Sequence, residues 1–296
     1  MKPRVSIGLP VYNGENYLAE TLDSILQQTF SDFELIISDN ASTDATQEIC
    51  KSYLTRDQRI QYHRNEQNLG AAKNYNRTFE LSSGKYFKWA AHDDLCAPEY
   101  LEKCIDGLDH NPEAIVYHPK VSIIDKHSNI LKNVDDYLDF RSSKPNVRFK
   151  RYLFRPAGMW SAVFGLIRSS VLKRTSLIGN YLSSDKVLVG EFVLRGQIHQ
   201  IPERLFFRRW HPLQSWRANP TKDSQAFWWN PKNDAKKMLP KDFKLLIEYM
   251  RMINSVKINS YEKLYCYLYI LKWFCIKNKR TIGNYCQTRL YNIKIN

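Results

Sequence analysis

The sequence predicts an α/β protein with a mainly parallel sheet flanked by helices and a helical C-terminal extension. Three observations carry that reading. Through the first half of the chain, short β-rich runs alternate with segments of helical period, the pattern of strands joined by crossover helices. The 296 residues are 43% apolar, enough to bury a real core and to exclude a disordered chain, a collagen-like fibre or a disulfide miniprotein. Beyond residue 215 the composition shifts towards Lys, Trp and Tyr. We therefore expect a main unit over residues 1–215, with halves at 1–117 and 118–215, and a helical, basic and aromatic extension over 216–296.

The elements follow in order. Residues 5–9, Val-Ser-Ile-Gly-Leu, read as a buried strand, and residues 16–28 place Leu18, Leu22, Ile25 and Leu26 on one helical face. Residues 33–38 are the next strand, Thr43 or Asp44 caps a helix reaching Tyr53, and residues 59–63 make a third strand. A helix over 71–81, a strand over 86–90 and a helix over 98–108 continue the series. After Ile115-Val116-Tyr117 the pattern loosens. Residues 133–155 are polar, charged and aperiodic, so a mobile loop or short helices are expected there. Strands over 162–167 and 204–210 then flank a helix over 185–195. There is no internal repeat and no low-complexity tract.

Charge and cysteine usage narrow the function classes. The 44 Lys and Arg exceed the 30 Asp and Glu by +14, which favours contact with something anionic: nucleic acid, lipid headgroups or a phosphorylated substrate. Cys50, Cys96, Cys104, Cys266, Cys275 and Cys286 form no Cys-x-x-Cys pair, which argues against a zinc ribbon or redox dithiol and for reduced, cytoplasmic thiols. The first ten residues lack the apolar stretch of a signal peptide, and no uninterrupted apolar run reaches the ~20 residues of a spanning helix.

In an open parallel sheet, ligands bind beyond the carboxyl ends of the strands. Four successive strand ends here carry small, amide or acidic residues: Pro-Val-Tyr-Asn-Gly-Glu over 10–15, Asp-Asn-Ala-Ser-Thr-Asp over 39–44, Asn68-Leu69-Gly70, and His92-Asp93-Asp94. Glycine-rich phosphate loops are missing. Gly8 and Gly14 stand six apart around a proline, and Gly84-Lys85-Tyr86 lacks the remaining P-loop residues. A nucleotide diphosphate can instead be held through Mg²⁺ or Mn²⁺, which needs only one or two protein carboxylates besides the phosphate oxygens, and Asp93-Asp94 can supply them.

Taken together, these four pieces, with Pro98 after the acid pair, resemble the nucleotide-sugar-binding domain of family 2 glycosyltransferases of the GT-A fold, over roughly residues 3–215. The resemblance implies an inverting, metal-dependent transfer of a sugar from a nucleotide-diphosphate donor to a hydroxyl of a glycan or glycolipid, in surface polysaccharide synthesis. Residues 1–117 would be the donor half and 118–215 the acceptor half. Pro10, Tyr12 and Glu15 would shape the first loop around base and ribose. Asp39 would accept a hydrogen bond from the base, and Asn68, Gly70 and Lys73 would lie near the nucleotide. Asp93 and Asp94 match the family's Asp-x-Asp region, with Ala91 where its first acid usually stands. One of the pair would meet the ribose and the other the Mn²⁺ or Mg²⁺. Ser183-Ser184-Asp185 matches the family's Glu-Asp base motif with Ser184 in place of Glu, which makes Asp185 the general base. Arg208-Arg209-Trp210-His211 matches the segment that closes over the diphosphate: the arginines would offset its charge, and His211 would ligate the metal or hydrogen-bond a phosphate.

Other readings are chemically distinct. A nucleic-acid-binding protein would use the basic aromatic surface and need none of the strand-end acids, whereas the transferase reading expects no nucleic acid. A catalytically inactive nucleotide-sugar binder would account for Ala91 and Ser184. Asp39 and Asp185 are also natural helix-capping or first-turn acids, Asn68-Leu69-Gly70 a natural turn, and His92 a structural histidine. Met159-Trp160 would suit a sugar-stacking platform. Residues 261–280 mix aromatics and leucines with lysines. Such a helix either packs on the main unit or lies at the cytoplasmic face of a membrane as a peripheral contact.

Overall fold

The computed structural model describes residues 2–156, 161–232 and 239–279. The platform of Met159-Trp160 and Cys286 fall outside them; the other five cysteines are free thiols.

Strand β1 (Val5–Val11) leads into α1 (Leu18–Leu26), β2 (Phe33–Asp39), α2 (Thr46–Leu54), β3 (Ile60–Arg64), α3 (Ala71–Glu80) and β4 (Tyr86–Trp89). These strands pair in parallel in the order β3-β2-β1-β4. Every residue of β1, β2 and β4 is buried, as expected of central parallel strands covered on both faces. A fully buried aliphatic side chain contributes about 1.5–3 kcal/mol, so the Val5, Ile7, Leu9 row facing Leu18 and Leu22 anchors this half. Next come β5 (Leu95–Cys96), α4 (Tyr100–His110), β6 (Ala114–Ile124) and β7 (Ile130–Val134).

Beyond β4 the sheet changes sense. Helix α5 (Pro145–Leu153), the 3-10 turn Ser161–Phe164, β8 (Leu166–Arg168), α6 (Ser169–Leu172), α7 (Ser184–Arg195) and β9 (Gln197–Arg209) follow. The order continues β4-β8-β6-β9-β5, with β8 antiparallel to both β4 and β6 and β9 parallel to β6. Parallel pairing thus holds for the first four strands and for β6 with β9, while the short β8 lies antiparallel between β4 and β6. Along one edge, β6 pairs first with β8 and then with β7. Four helices close the described chain: α8 (Ser215–Ala218), α9 (Lys222–Trp229), α10 (Lys241–Ser255) and α11 (Ser260–Lys277).

One expectation changes and one is narrowed. The strand expected over 162–167 is a 3-10 turn followed by a three-residue strand, because β8 pairs only where Tyr86-Phe87 and Val116-Tyr117 offer edges. The stretch expected as a mobile loop or short helices contains the nine-residue α5, whose Phe149 and Tyr152 are buried in the same core as α7. Its charge pattern hides this, because buried Arg148 spends its guanidinium on the Val193 and Leu194 carbonyls ending α7.

Gly8 sits where the crossover helix α3 meets β1. A Cβ there would stand 2.3 Å from Thr78 Oγ1 and 2.7 Å from Phe87. Gly8→Ala is expected to lower unfolding stability by about 1–3 kcal/mol in urea denaturation without changing the m-value. Wild-type stability in this variant would disprove the close approach.

Candidate active site

The loops after the parallel strands interlock through hydrogen bonds. Asn13, in a left-handed conformation with φ 51°, accepts from Thr43 N at 2.9 Å. Its own N–H donates to Ser42 Oγ at 3.0 Å, and Gly14 N donates to Thr46 Oγ1 at 2.8 Å. Glu15 accepts from Ala45 N at 3.0 Å, so its carboxylate serves the entrance of α2 rather than a base or ribose. Pro10 is buried in β1, whereas Tyr12 is exposed. Gly14 leaves space for His92, whose ring a Cβ would meet at 2.8 Å, so the first and fourth strand ends touch.

A second set of bonds is built from amides. Asn40 donates to Asn68 Oδ1 at 2.8 Å and accepts from Leu69 N at 2.8 Å and Asn65 Nδ2 at 3.0 Å. Asn74 accepts from Ser38 Oγ at 2.7 Å and returns a bond to the Ser38 carbonyl at 2.8 Å. Asn68 also accepts from Gly70 N at 2.8 Å. These residues tie strand ends together; Asn68 is thereby engaged within the protein. Gly70 has φ 82° and meets the Trp229 carbonyl at 2.6 Å from an added Cβ, so it is required by backbone geometry. Lys73 is exposed on α3.

Asp39 is fully buried at the end of β2. One carboxylate oxygen accepts from Ser42 N at 2.8 Å; the other accepts from Tyr62 Oη at 2.7 Å and Arg64 Nη1 at 2.5 Å. Burial pushes this carboxyl up, but the bonds from Ser42, Tyr62 and Arg64 outweigh it and hold it below the usual carboxylate range. Tyr62 and Arg64 were not singled out from sequence, although Arg64 stands at a strand end as the other site residues do.

The pairing of β5 with β9 assembles the acid pair with the arginine segment. Leu95 lies opposite Phe207, so the residues before β5 run alongside Arg208 and Arg209. Asp94 Oδ1 accepts from the Arg209 N–H at 2.9 Å, and Asp93 Oδ2 lies 2.9 Å from His211 Nε2. Arg209 itself is fully buried, and each of its guanidinium nitrogens already donates within the protein: to the Asp93 carbonyl, to the Asp125 carbonyl and Ser128 Oγ, and to Glu20. Arg209 is therefore a scaffold cation and not a free phosphate ligand, a correction that follows from its side chain facing the interior. Arg208 points the other way. It is part-exposed, and its charge reaches Asp93, Asp94 and Asp185.

The two neighbouring acids are held differently. For Asp93, burial acts upward, but the hydrogen bond from His211 and the charges of His92, His211 and Arg208 prevail, leaving it below the usual carboxylate range. Burial, then the negative charge of Asp93, push Asp94 up to about 7. Lys88, a lone lysine in a buried strand, donates to the Trp89 and Phe164 carbonyls and lies 4.4 Å from the Tyr100 ring centroid, adding a compensating charge near Asp94. That isolated charge in an apolar strand was the sequence signal for it.

Asp185 lies in the first turn of α7, part-buried, after Ser183 in a left-handed conformation. Burial raises its carboxyl, partly opposed by Lys186, Lys241 and Arg208. Tyr75 ties the halves together: burial raises its phenol, and the charges of Asp93, Asp94, Arg208 and Asp185 all act on it. It occupies α3, one turn beyond Gly70, and its carbonyl accepts from Trp89 Nε1 at 2.9 Å. Asp93, Asp94, Arg208 and Asp185 are thus within electrostatic reach of one phenol. Among the described residues no three His, Cys, Asp or Glu side chains group as a metal site. Asp93 and His211 nonetheless set a carboxylate beside an imidazole, donor types that divalent cations take, and the buried His211 Nδ1 has no hydrogen-bond partner.

Comparison with known proteins adds an independent line. The model of Glycosyl transferase family 2 matches residues 6–175, more than half the chain. An uncharacterized glycosyltransferase of Methanocaldococcus jannaschii, MJ1057, is 34% identical over 157 residues, and the match spans 52% of each protein. RT0329 of Rickettsia typhi, also an uncharacterized glycosyltransferase, is 29% identical over 295 residues, 96% of this chain and 88% of that one. The crystal structure of TarS from S. aureus with UDP-GlcNAc superposes with TM-score 0.64 at 16% identity, covering 93% of this chain and 73% of that one. The mannosyltransferase PcManGT from Pyrobaculum calidifontis, with GDP-Man and Mn²⁺, gives 0.58 at 14%, covering 94% and 71%. At these identities the two structures establish a shared fold.

Because the Asp39 carboxyl is lowered, its contribution to stability is present above the unfolded value near 3.8 and is lost as pH falls through the folded value. Asp39→Asn is expected to cost about 1–3 kcal/mol at pH 7. The difference from wild type should shrink below pH 3.8 in denaturation curves. A difference that stays constant with pH would contradict the assigned ionisation.

Proposed function

The chain belongs to glycosyl transferase family 2, and from that premise we propose that it transfers a sugar, with inversion, from a nucleoside-diphosphate donor to a hydroxyl of a glycan or glycolipid. The observation that carries this reading is the union of the acid pair with the end of β9, where Asp94 Oδ1 accepts from the Arg209 N–H at 2.9 Å and Asp93 Oδ2 lies 2.9 Å from His211 Nε2, with the charge of Arg208 acting on both acids and on Asp185.

In this mechanism Asp185 is the general base. Its raised carboxyl, in the first turn of α7, takes the proton of the acceptor hydroxyl as that oxygen bonds to the anomeric carbon. The bond from that carbon to the diphosphate oxygen breaks, and its electron pair leaves with the diphosphate. Arg208 offsets the charge developing there. A bound Mn²⁺ or Mg²⁺ would neutralise the diphosphate further; Asp93 and His211 would hold it, with phosphate oxygens and water completing the shell. Asp94, committed to the β9 backbone through Oδ1, suits positioning of Asp93 and the ribose better than primary ligation. Asp39, Tyr62 and Arg64 would form the floor beneath the base, with Tyr12 at the rim. TarS with UDP-GlcNAc and PcManGT with GDP-Man support a nucleotide-sugar donor, and the Mn²⁺ of PcManGT supports the cation.

A panel of UDP- and GDP-sugars, with and without Mn²⁺, is expected to identify the donor by a rise in thermal midpoint. With that donor, Asp185→Asn should lower kcat for transfer by about 10²–10⁴-fold while leaving donor affinity within about threefold. Asp93→Asn should instead weaken Mn²⁺-dependent donor binding in calorimetry. Full transfer by folded Asp185→Asn would remove it from the chemistry.

A further inference from the structure

Helix α11 is apolar on two opposite faces. Cys266 and Ile270 are buried against α5 and α10, with Trp273 and Phe274 packed beside them. On the opposite face, Tyr261, Leu264, Leu268 and Leu271 are 65%, 55%, 51% and 44% exposed, and Cys275 is exposed as well. Their spacing of three, four, three and four residues draws one straight apolar row along the helix. Phe154, at the end of α5, and Phe243, at the start of α10, are also exposed and widen it on either side. Monomers seldom leave a contiguous row of this kind in water.

The charge beside the row selects its partner. Lys272 lies exposed on α11, and Lys150 and Arg151 lie exposed on α5. Lys272 Nζ is 6.0 Å from the Phe154 ring centroid and Lys150 Nζ 5.7 Å from that of Tyr269, so these cations border the apolar strip. Glu262, in the first turn, is the sole acid of α11. Among the described residues of α11 and α5 no acid follows Glu262 or faces these lysines, so a second copy of the chain would bring like charges together along this strip. Among the described residues no helix is long and apolar enough to cross a membrane.

We propose that the outer face of α11, with the adjoining end of α5, docks on an anionic phospholipid surface. The leucines enter the acyl boundary and Lys150, Arg151 and Lys272 sit among the headgroups. This surface is independent of the transfer reaction.

Flotation of the full chain with vesicles tests it. Binding is expected to phosphatidylcholine mixed with phosphatidylglycerol, to be weak on phosphatidylcholine alone, and to fall with added salt. Leu264→Ser with Leu268→Ser, and separately Lys150→Glu with Lys272→Glu, should each lower partitioning about tenfold or more. The thermal midpoint should not change, since these side chains are exposed. Absence of binding, equal binding to both vesicle types, or wild-type binding by both double variants would overturn the proposal. So would a dimer in sedimentation velocity that the leucine substitutions dissolve, which would assign the face to a second copy.

Discussion

The guanidinium of Arg209 is the contact on which the candidate site depends. A buried arginine is tolerated only when its charge and donors are met, and here three separate segments meet them. Glu20 comes from α1, the Asp93 carbonyl from the loop after β4, and the Asp125 carbonyl and Ser128 hydroxyl from the turn joining β6 to β7. The Tyr17 ring lies 4.7 Å from the same cation. The backbone N–H of this residue then fixes the Asp94 carboxylate. One side chain therefore sets both the position of the acid pair and the path of the chain into His211.

That scaffold explains how two adjacent aspartates acquire opposite electrostatics. Asp93 faces His211 and is held ionised; Asp94 faces the β9 backbone in a drier setting, where a second full charge is disfavoured. Lys88 and Arg208 limit the cost from two sides. Two carboxylates side by side in sequence become one anion ready for a cation or a donor and one group near its titration point, a division created by environment alone.

Around this centre, the remaining polar residues of the strand ends do structural work. The asparagines at 40, 65, 68 and 74 bond to one another and to the backbone, as buried loops require, with Asn65 Oδ1 alone among their described side-chain oxygens left without a partner. They lock the loops after β2 and β3 to α3, beside the end of β2 where Asp39 is buried. Ionic and amide contacts thus divide the labour: amides set the loops, and paired charges tune the acids.

The alternation of strand and helix through the first four strands and the acids at their ends were legible in the sequence, because burial on both faces demands continuous apolar runs and crossover helices demand a 3.6-residue period. Asp39, Asp93 and Asp94 could be picked from such local patterns, and Asp185, Arg208 and His211 from the family resemblance. What the residues at those positions face could not. Arg208 and Arg209 are neighbours of identical type, and only the antiparallel pairing of β5 with β9 turns one inward as scaffold and leaves the other beside the acids. Likewise α5 carries a charged, aperiodic sequence that folds into the core, since Arg148 finds carbonyls at the far end of α7. Local sequence determines which segments can be strands, helices and ligand-bearing loops. Long-range register decides which polar groups are neutralised by the fold and which remain for chemistry, because that depends on partners more than a hundred residues away.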